Sequence, residues 1–141
     1  MATFGTGVTS TSPNQVAGTA GEALAAGTSL YLSGGKWYKA RSNASTTIGI
    51  AGAVNGSLGV ALNSAIAANA PIDVLITGLL ENGSSLLPGE AYVVSDATAG
   101  DVIAHSALTE DTDYAVIMGI GVTTTSAYIS PVSSGVILNL A

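Results

Sequence analysis

The segment Leu86-Leu-Pro-Gly-Glu-Ala-Tyr-Val-Val-Ser95 lines up with Leu24-Ala-Ala-Gly-Thr-Ser-Leu-Tyr-Leu-Ser33, placing Gly89 on Gly27 and Tyr92 on Leu30. Two more pairs follow in the same order: Gly100-Asp-Val-Ile-Ala104 with Gly35-Lys-Trp-Tyr-Lys39, and Met118-Gly-Ile-Gly-Val122 with Leu58-Gly-Val-Ala-Leu62. The spacing, about 60 to 65 residues throughout, is longer than a solenoid period, and two copies are too few for an open array. Two fused copies of a strand-rich unit instead build a barrel or a sandwich. The expected fold class is therefore all-β, a compact barrel or sandwich of two pseudo-repeats at about residues 24–80 and 86–133.

Each repeat opens on a hairpin signal. In the first, Gly34-Gly35 separates two short alternating runs and supplies the positive φ angles of a primed turn. Leu30 and Leu32 then fall on one strand face and Tyr31 on the other, while after the turn Trp37 shares a face with Lys39 and Arg41. That grouping reads either as a cation–π cluster at a contact surface or as a partly buried tryptophan capped by aliphatic stems. The second repeat widens the turn to Asp96-Ala-Thr-Ala-Gly100 and has no counterpart of Trp37 or the three bases.

Further strands are expected at Leu58–Leu62, Ile72–Thr77, Tyr114–Met118 and Ala127–Pro131, with a surface excursion over 42–57 and a connection over Ala61–Ala70. The segment from Gly21 to Gly27 is too short to nucleate a helix and reads as a loop or single turn. Gly135–Leu140 is an apolar run that calls for pairing, in its own sheet or against another chain. Residues 1–19 offer only Phe4, Val8 and Val16 as sizeable apolar anchors and read as an extended arm, frayed or adding a strand to a neighbouring subunit. One β domain over 20–141 follows that arm.

Hydrophobic residues make up 48% and charged residues 9% of the 141, the opposite of a disordered composition. Net charge is −6, which disfavours nucleic acid as a partner. The three bases Lys36, Lys39 and Arg41 lie together, whereas eight of nine acids lie from Asp73 onward, an asymmetry suited to self-association or docking. The N-terminus has neither the basic nor the apolar region of a secretory signal and reads as a mature cytosolic start. The most apolar region, Leu58–Leu80, is broken by Asn63, Asn69, Pro71 and Asp73, so no membrane span is expected.

The residues point to no catalytic chemistry. There is no cysteine, and His105, the only histidine, has no second nitrogen or sulfur ligand for a transition metal. Serines abound, yet no Gly-x-Ser-x-Gly elbow locates a triad. Glu110-Asp-Thr-Asp113 has the carboxylate density to hold calcium but not the pattern of an EF-hand, and reads as a solvated acidic turn. Gly5-Thr-Gly7 and Gly119-Ile-Gly121 lack the third glycine of a dinucleotide loop. Asn43-Ala-Ser45, Asn55-Gly-Ser57 and Asn82-Gly-Ser84 match the glycosylation sequon by composition alone. No enzyme activity, cofactor or metal is expected.

The run from Gly18 through Ala40, with Leu-Gly-Val-Ala-Leu, Ile-Asp-Val-Leu-Ile-Thr-Gly-Leu and Leu-Leu-Pro-Gly-Glu-Ala-Tyr-Val-Val-Ser, resembles capsid decoration (cement) proteins and related head-fibre modules of tailed bacteriophages. The resemblance covers residues 18–131 and rests on turn punctuation more than on chemistry. It implies an all-β homo-oligomer, a trimer more than a dimer, made in the host cytoplasm and placed on the outer capsid surface of the virion. Its partner there would be the major capsid protein, which it braces, with neither nucleic acid nor membrane bound. Phe4, Val8, Lys36, Trp37, Lys39 and Arg41 are the candidate capsid or subunit contacts. The alternative is a receptor- or glycan-binding fibre module using Trp37, Tyr38 and Tyr128.

Overall fold

The computed structural model describes residues 3–40, 58–84, 86–94, 100–104 and 114–137. Among them there is no helix, hence none long and apolar enough to cross a membrane. The first of two antiparallel five-stranded sheets holds β1 (Gln15–Thr19), β2 (Ser29–Ser33), β3 (Lys36–Lys39), β4 (Leu58–Ala61) and β5 (Pro71–Leu75), in the order β1-β5-β4-β2-β3. The second holds β6 (Gly78–Leu80), β7 (Ala91–Val94), β8 (Val102–Ala104), β9 (Tyr114–Gly121) and β10 (Ala127–Ile137), in the order β6-β10-β9-β7-β8. The second order is the first with every strand advanced by five, so the duplication holds in topology as well as in sequence. Neither sheet closes into a barrel, and the two form a sandwich.

Hydrogen bonds fix which residues correspond. The Gly27 N–H donates to the Ala61 carbonyl at 2.8 Å and the Ala61 N–H donates to Thr28 at 3.0 Å. In the second half Gly89 donates to Gly121 at 2.8 Å and Gly121 to Glu90 at 2.8 Å. Gly27 and Gly89 take φ of 84° and 80°, a left-handed conformation that glycine adopts without strain. From this anchor the registers run in parallel. Leu30 opposes Gly59 as Tyr92 opposes Gly119, Val60 opposes Leu75 as Ile120 opposes Tyr128, and Val16 opposes Val74 as Leu80 opposes Ala127. One difference is a β-bulge that sets Ile117, rather than Met118, opposite Val93.

The repeats start earlier than residues 24 and 86. Each begins on an edge strand, β1 or β6, and Gly78–Leu80 therefore opens the second unit instead of closing the first. The Gly34-Gly35 turn is as expected, with φ of 59° and 81° between the paired Ser33 and Lys36. The widened second turn over 95–99 and the excursion over 41–57 lie outside the described residues, as does the end of the apolar run beyond Ile137.

Alternation along β2 divides the interior in two. On the Leu30 side, Ala20, Leu24, Trp37, Ala61, Ala65, Ile72 and Val74 form a core internal to the first sheet. That sheet curls around it until its two edges approach: Ala20 makes a parallel bridge to Trp37, and the Gly21 N–H donates to the Trp37 carbonyl at 2.8 Å. On the Tyr31 side, Leu58, Val60 and Leu75 share a second core with Leu80, Leu86, Tyr92, Val94, Val102, Met118, Ala127 and Ile129 of the other sheet. The outward face of the first sheet is thus packed into the second.

The expected N-terminal arm is instead part of this body. Phe4 and Val8 are buried in the shared core, and Gln15–Thr19 pairs along its full length with β5. The Phe4 N–H donates to Gly27 at 3.0 Å and the Ser84 N–H donates to Phe4 at 3.0 Å, so the segment stitches one unit to the other. Its ring meets Tyr92 edge-on at 6.1 Å and 70°. Few large side chains suffice, because burying one phenyl is worth about 1.5–3 kcal/mol and both sheets line its pocket.

Candidate assembly surfaces

The six contact residues expected from the sequence do not gather on one surface. Phe4, Val8 and Trp37 are buried inside the protomer. Trp37 is 3% exposed, and a Cβ on Gly18 would stand 2.6 Å from its Nε1, so the indole fills the gap between the edges of the first sheet. It is neither a surface cation–π partner nor a side chain merely capped by lysine stems. Lys36 donates from Nζ to Asn69 Oδ1 at 2.8 Å, and the Lys39 backbone N–H donates to Glu22 Oε2 at 3.1 Å. Arg41, His105 and Glu110–Asp113 lie outside the described residues, and among those described no three His, Asp or Glu side chains group as metal ligands.

Of the three aromatics considered for glycan binding, Trp37 is buried and Tyr38 is half-buried, stacked on Tyr31 at 5.8 Å with 29° between the rings. Burial pushes the Tyr31 hydroxyl above its usual pKa, reinforced by the Glu22 carboxylate and by Tyr38. Only Tyr128 faces solvent, and its neighbours are aliphatic rather than polar.

Those neighbours make up a surface that sequence reading had not assembled. Tyr128 on β10 lies directly opposite Leu79 on β6 and Ile120 on β9, so the three form one row across the outer face of the second sheet. They are 54%, 40% and 51% exposed, and Val122 and Leu87 add exposed apolar surface in the adjoining segments. An antiparallel sheet facing water ordinarily alternates polar residues outward. In the first sheet the residues corresponding to Tyr128 and Ile120 are Leu75 and Val60, and both are fully buried beneath the second sheet. At these two positions the duplicated unit is covered in one copy and bare in the other, whereas the counterpart of Leu79 is the exposed, polar Gln15. The signal was present in the repeat alignment, which sets Ile120 on Val60, but only strand pairing brings Leu79 and Tyr128 alongside.

A second apolar surface lies at the curled edge of the first sheet. There Val16, Gly18, Leu32, Gly35, Trp37 and Ile76 line a groove of about 390 Å³, with Val16 41% exposed. No protein-family model, curated protein or solved structure matches this chain.

Proposed function

We propose that the chain is a structural virion protein that decorates a phage capsid from outside and braces the major capsid protein shell as a homo-oligomer. The observation that carries this reading is the bare Leu79–Tyr128–Ile120 row, which a protein working alone would leave in water and a component of an assembly buries. The resemblance of residues 18–131 to decoration proteins supplies the kind of assembly. The net charge of −6 suits a particle's exterior better than its nucleic-acid-filled interior. On a symmetric shell, modest contacts made by many copies add through avidity.

The test is a comparison of particles with and without the protein. Particles lacking it are expected to break at lower temperature and in lower salt than complete ones, and purified protein added back should sediment with them and restore resistance. Equal resistance, together with protein left in the supernatant, refutes the reading. Binding to a glycan array in place of particles would favour a receptor-binding module built around Tyr128.

A further inference from the structure

We propose that the bare row of the second sheet is covered by a second copy of this chain, which docks through the Val16–Trp37 groove of its own first sheet, so that copies join head to tail. This deepens the reading of the row as an assembly surface and rests on it, but it concerns contacts between copies and not contacts with a shell.

Both sides of such a contact already exist inside one chain. The second sheet packs on the outward face of the first, and among the residues it uses are Leu80, Val94 and Ile129, all fully buried. Their counterparts in the first sheet, by the register set at Gly27 and Gly89, are Val16, Leu32 and Ile76, and these three line the open groove. The correspondence of Ile76 with Ile129 is visible at two matched glycines: a Cβ on Gly59 would lie 2.8 Å from the Leu75 carbonyl and 3.3 Å from Ile76 Cδ1, and one on Gly119 2.5 Å from the Tyr128 carbonyl and 3.0 Å from Ile129 Cδ1. The surface that is gripped and the surface that grips are thus each present twice. One pair meets within the chain. Of the other, the row is bare on the second sheet, while on the first only the rim Val16, Leu32 and Ile76 is open, because Leu30, Trp37 and Val74, the counterparts of Tyr92, Val102 and Ala127, are taken up by that sheet's own core.

Charge runs in the same direction. The half up to Thr77 carries Lys36, Lys39 and Arg41 against Glu22 and Asp73, while the half from Gly78 onward carries seven of the nine acids and no Lys or Arg. Glu81 is close in sequence to Leu79 at one end of the row, Glu90 precedes Ala91, which pairs with Ile120 at the other end, and Lys36 follows Gly35 at the groove. A first half set against the second half of a neighbour brings opposite signs together, whereas two second halves set face to face would bring acids together. The contact is therefore heterologous, and it closes into a ring where the rotation between copies permits.

Sedimentation equilibrium of the full chain and two variants tests this. Tyr128→Glu removes the row and Val16→Glu removes the groove; both side chains are exposed, so circular dichroism and the melting temperature should be unchanged. The wild type is expected to self-associate, less strongly at high salt, and each variant alone to lose association by at least about tenfold. An equimolar mixture of the two should recover one contact and stop at dimers, because the Tyr128→Glu chain keeps its groove and the Val16→Glu chain keeps its row. A wild type that stays monomeric, a Val16→Glu chain that assembles normally, or a mixture with no dimers overturns the inference. A monomeric wild type that binds particles through Tyr128 would sink this inference and spare the functional reading. Normal head-to-tail assembly with no particle binding would do the reverse.

Discussion

Trp37 lies against the backbone of Gly18, with Nε1 2.6 Å and Cδ1 2.8 Å from the point where a Cβ on that glycine would stand. The two residues belong to β3 and β1, the outer strands of the first sheet, and their approach holds the sheet curled around its own core. Gly18 has no left-handed backbone to excuse it, so the demand at this position is for space alone. Gly18→Ala is expected to lower unfolding free energy by about 1–3 kcal/mol through overpacking. Urea unfolding measures it, and an unchanged midpoint would contradict the packing of the seam.

Gly27 and Gly89 are matched in φ and in hydrogen bonding but not in surroundings. A Cβ at Gly27 would run into the Gly5 carbonyl oxygen, whereas nothing lies within 4 Å of one at Gly89. Gly89→Ala should cost only the left-handed strain, about 1–2 kcal/mol. Gly27→Ala should cost more than about 3 kcal/mol or prevent folding, because backbone cannot yield as a side chain can. Thermal melts of the pair give the difference directly, and equal losses would show that the N-terminal segment does not press on Gly27.

Phe4 joins the two units through its backbone and fills their shared core with its ring. Phe4→Ala is expected to destabilise by about 3–5 kcal/mol, and Phe4→Leu by clearly less. A frayed arm would lose nothing on either change, so denaturant titration separates the two descriptions.

The raised pKa of Tyr31 sets an alkaline limit on stability. Its neutral form is favoured in the folded state, chiefly by burial and further by Glu22 and Tyr38. The unfolded chain therefore loses this proton first as pH rises, and the contribution, complete below about pH 10, declines as pH climbs through the folded value. Melting temperature should fall above about pH 10, and Tyr31→Phe should flatten that fall. An identical alkaline profile in the variant would assign the effect to other groups.

Much of the fold was legible because glycines punctuate it. Gly34-Gly35 marked its turn, and Gly27 and Gly89 marked equivalent strand starts, since each needs a backbone that few other residues adopt. What could not be read depended on partners distant in sequence. The segment around Phe4 looks like a tail until Gly27 and Ser84 are brought beside it, and Gln15–Thr19, with Val16 as its one large apolar side chain, becomes a strand because β5 offers an edge. Trp37 shares a strand face with Lys39, which left a contact surface and a partly buried ring capped by aliphatic stems both open, because local alternation carries no information about the opposite edge of the same sheet closing over it. The bare row was half visible: the repeat aligned Ile120 with Val60, yet which of two equivalent faces is buried depends on how the copies stack.

Trp37 is the only tryptophan in the chain, and its indole lies in the core internal to the first sheet rather than in the core the sheets share. Its fluorescence is consequently a private reporter of one half of a duplicated molecule, with blue-shifted emission while the seam is shut and red-shifted emission once water reaches the ring. Far-UV dichroism reports both halves together. If the shared core makes the halves cooperative, the two signals change at one midpoint; an emission shift that comes first or last would time the opening of the first half against the second without any added label.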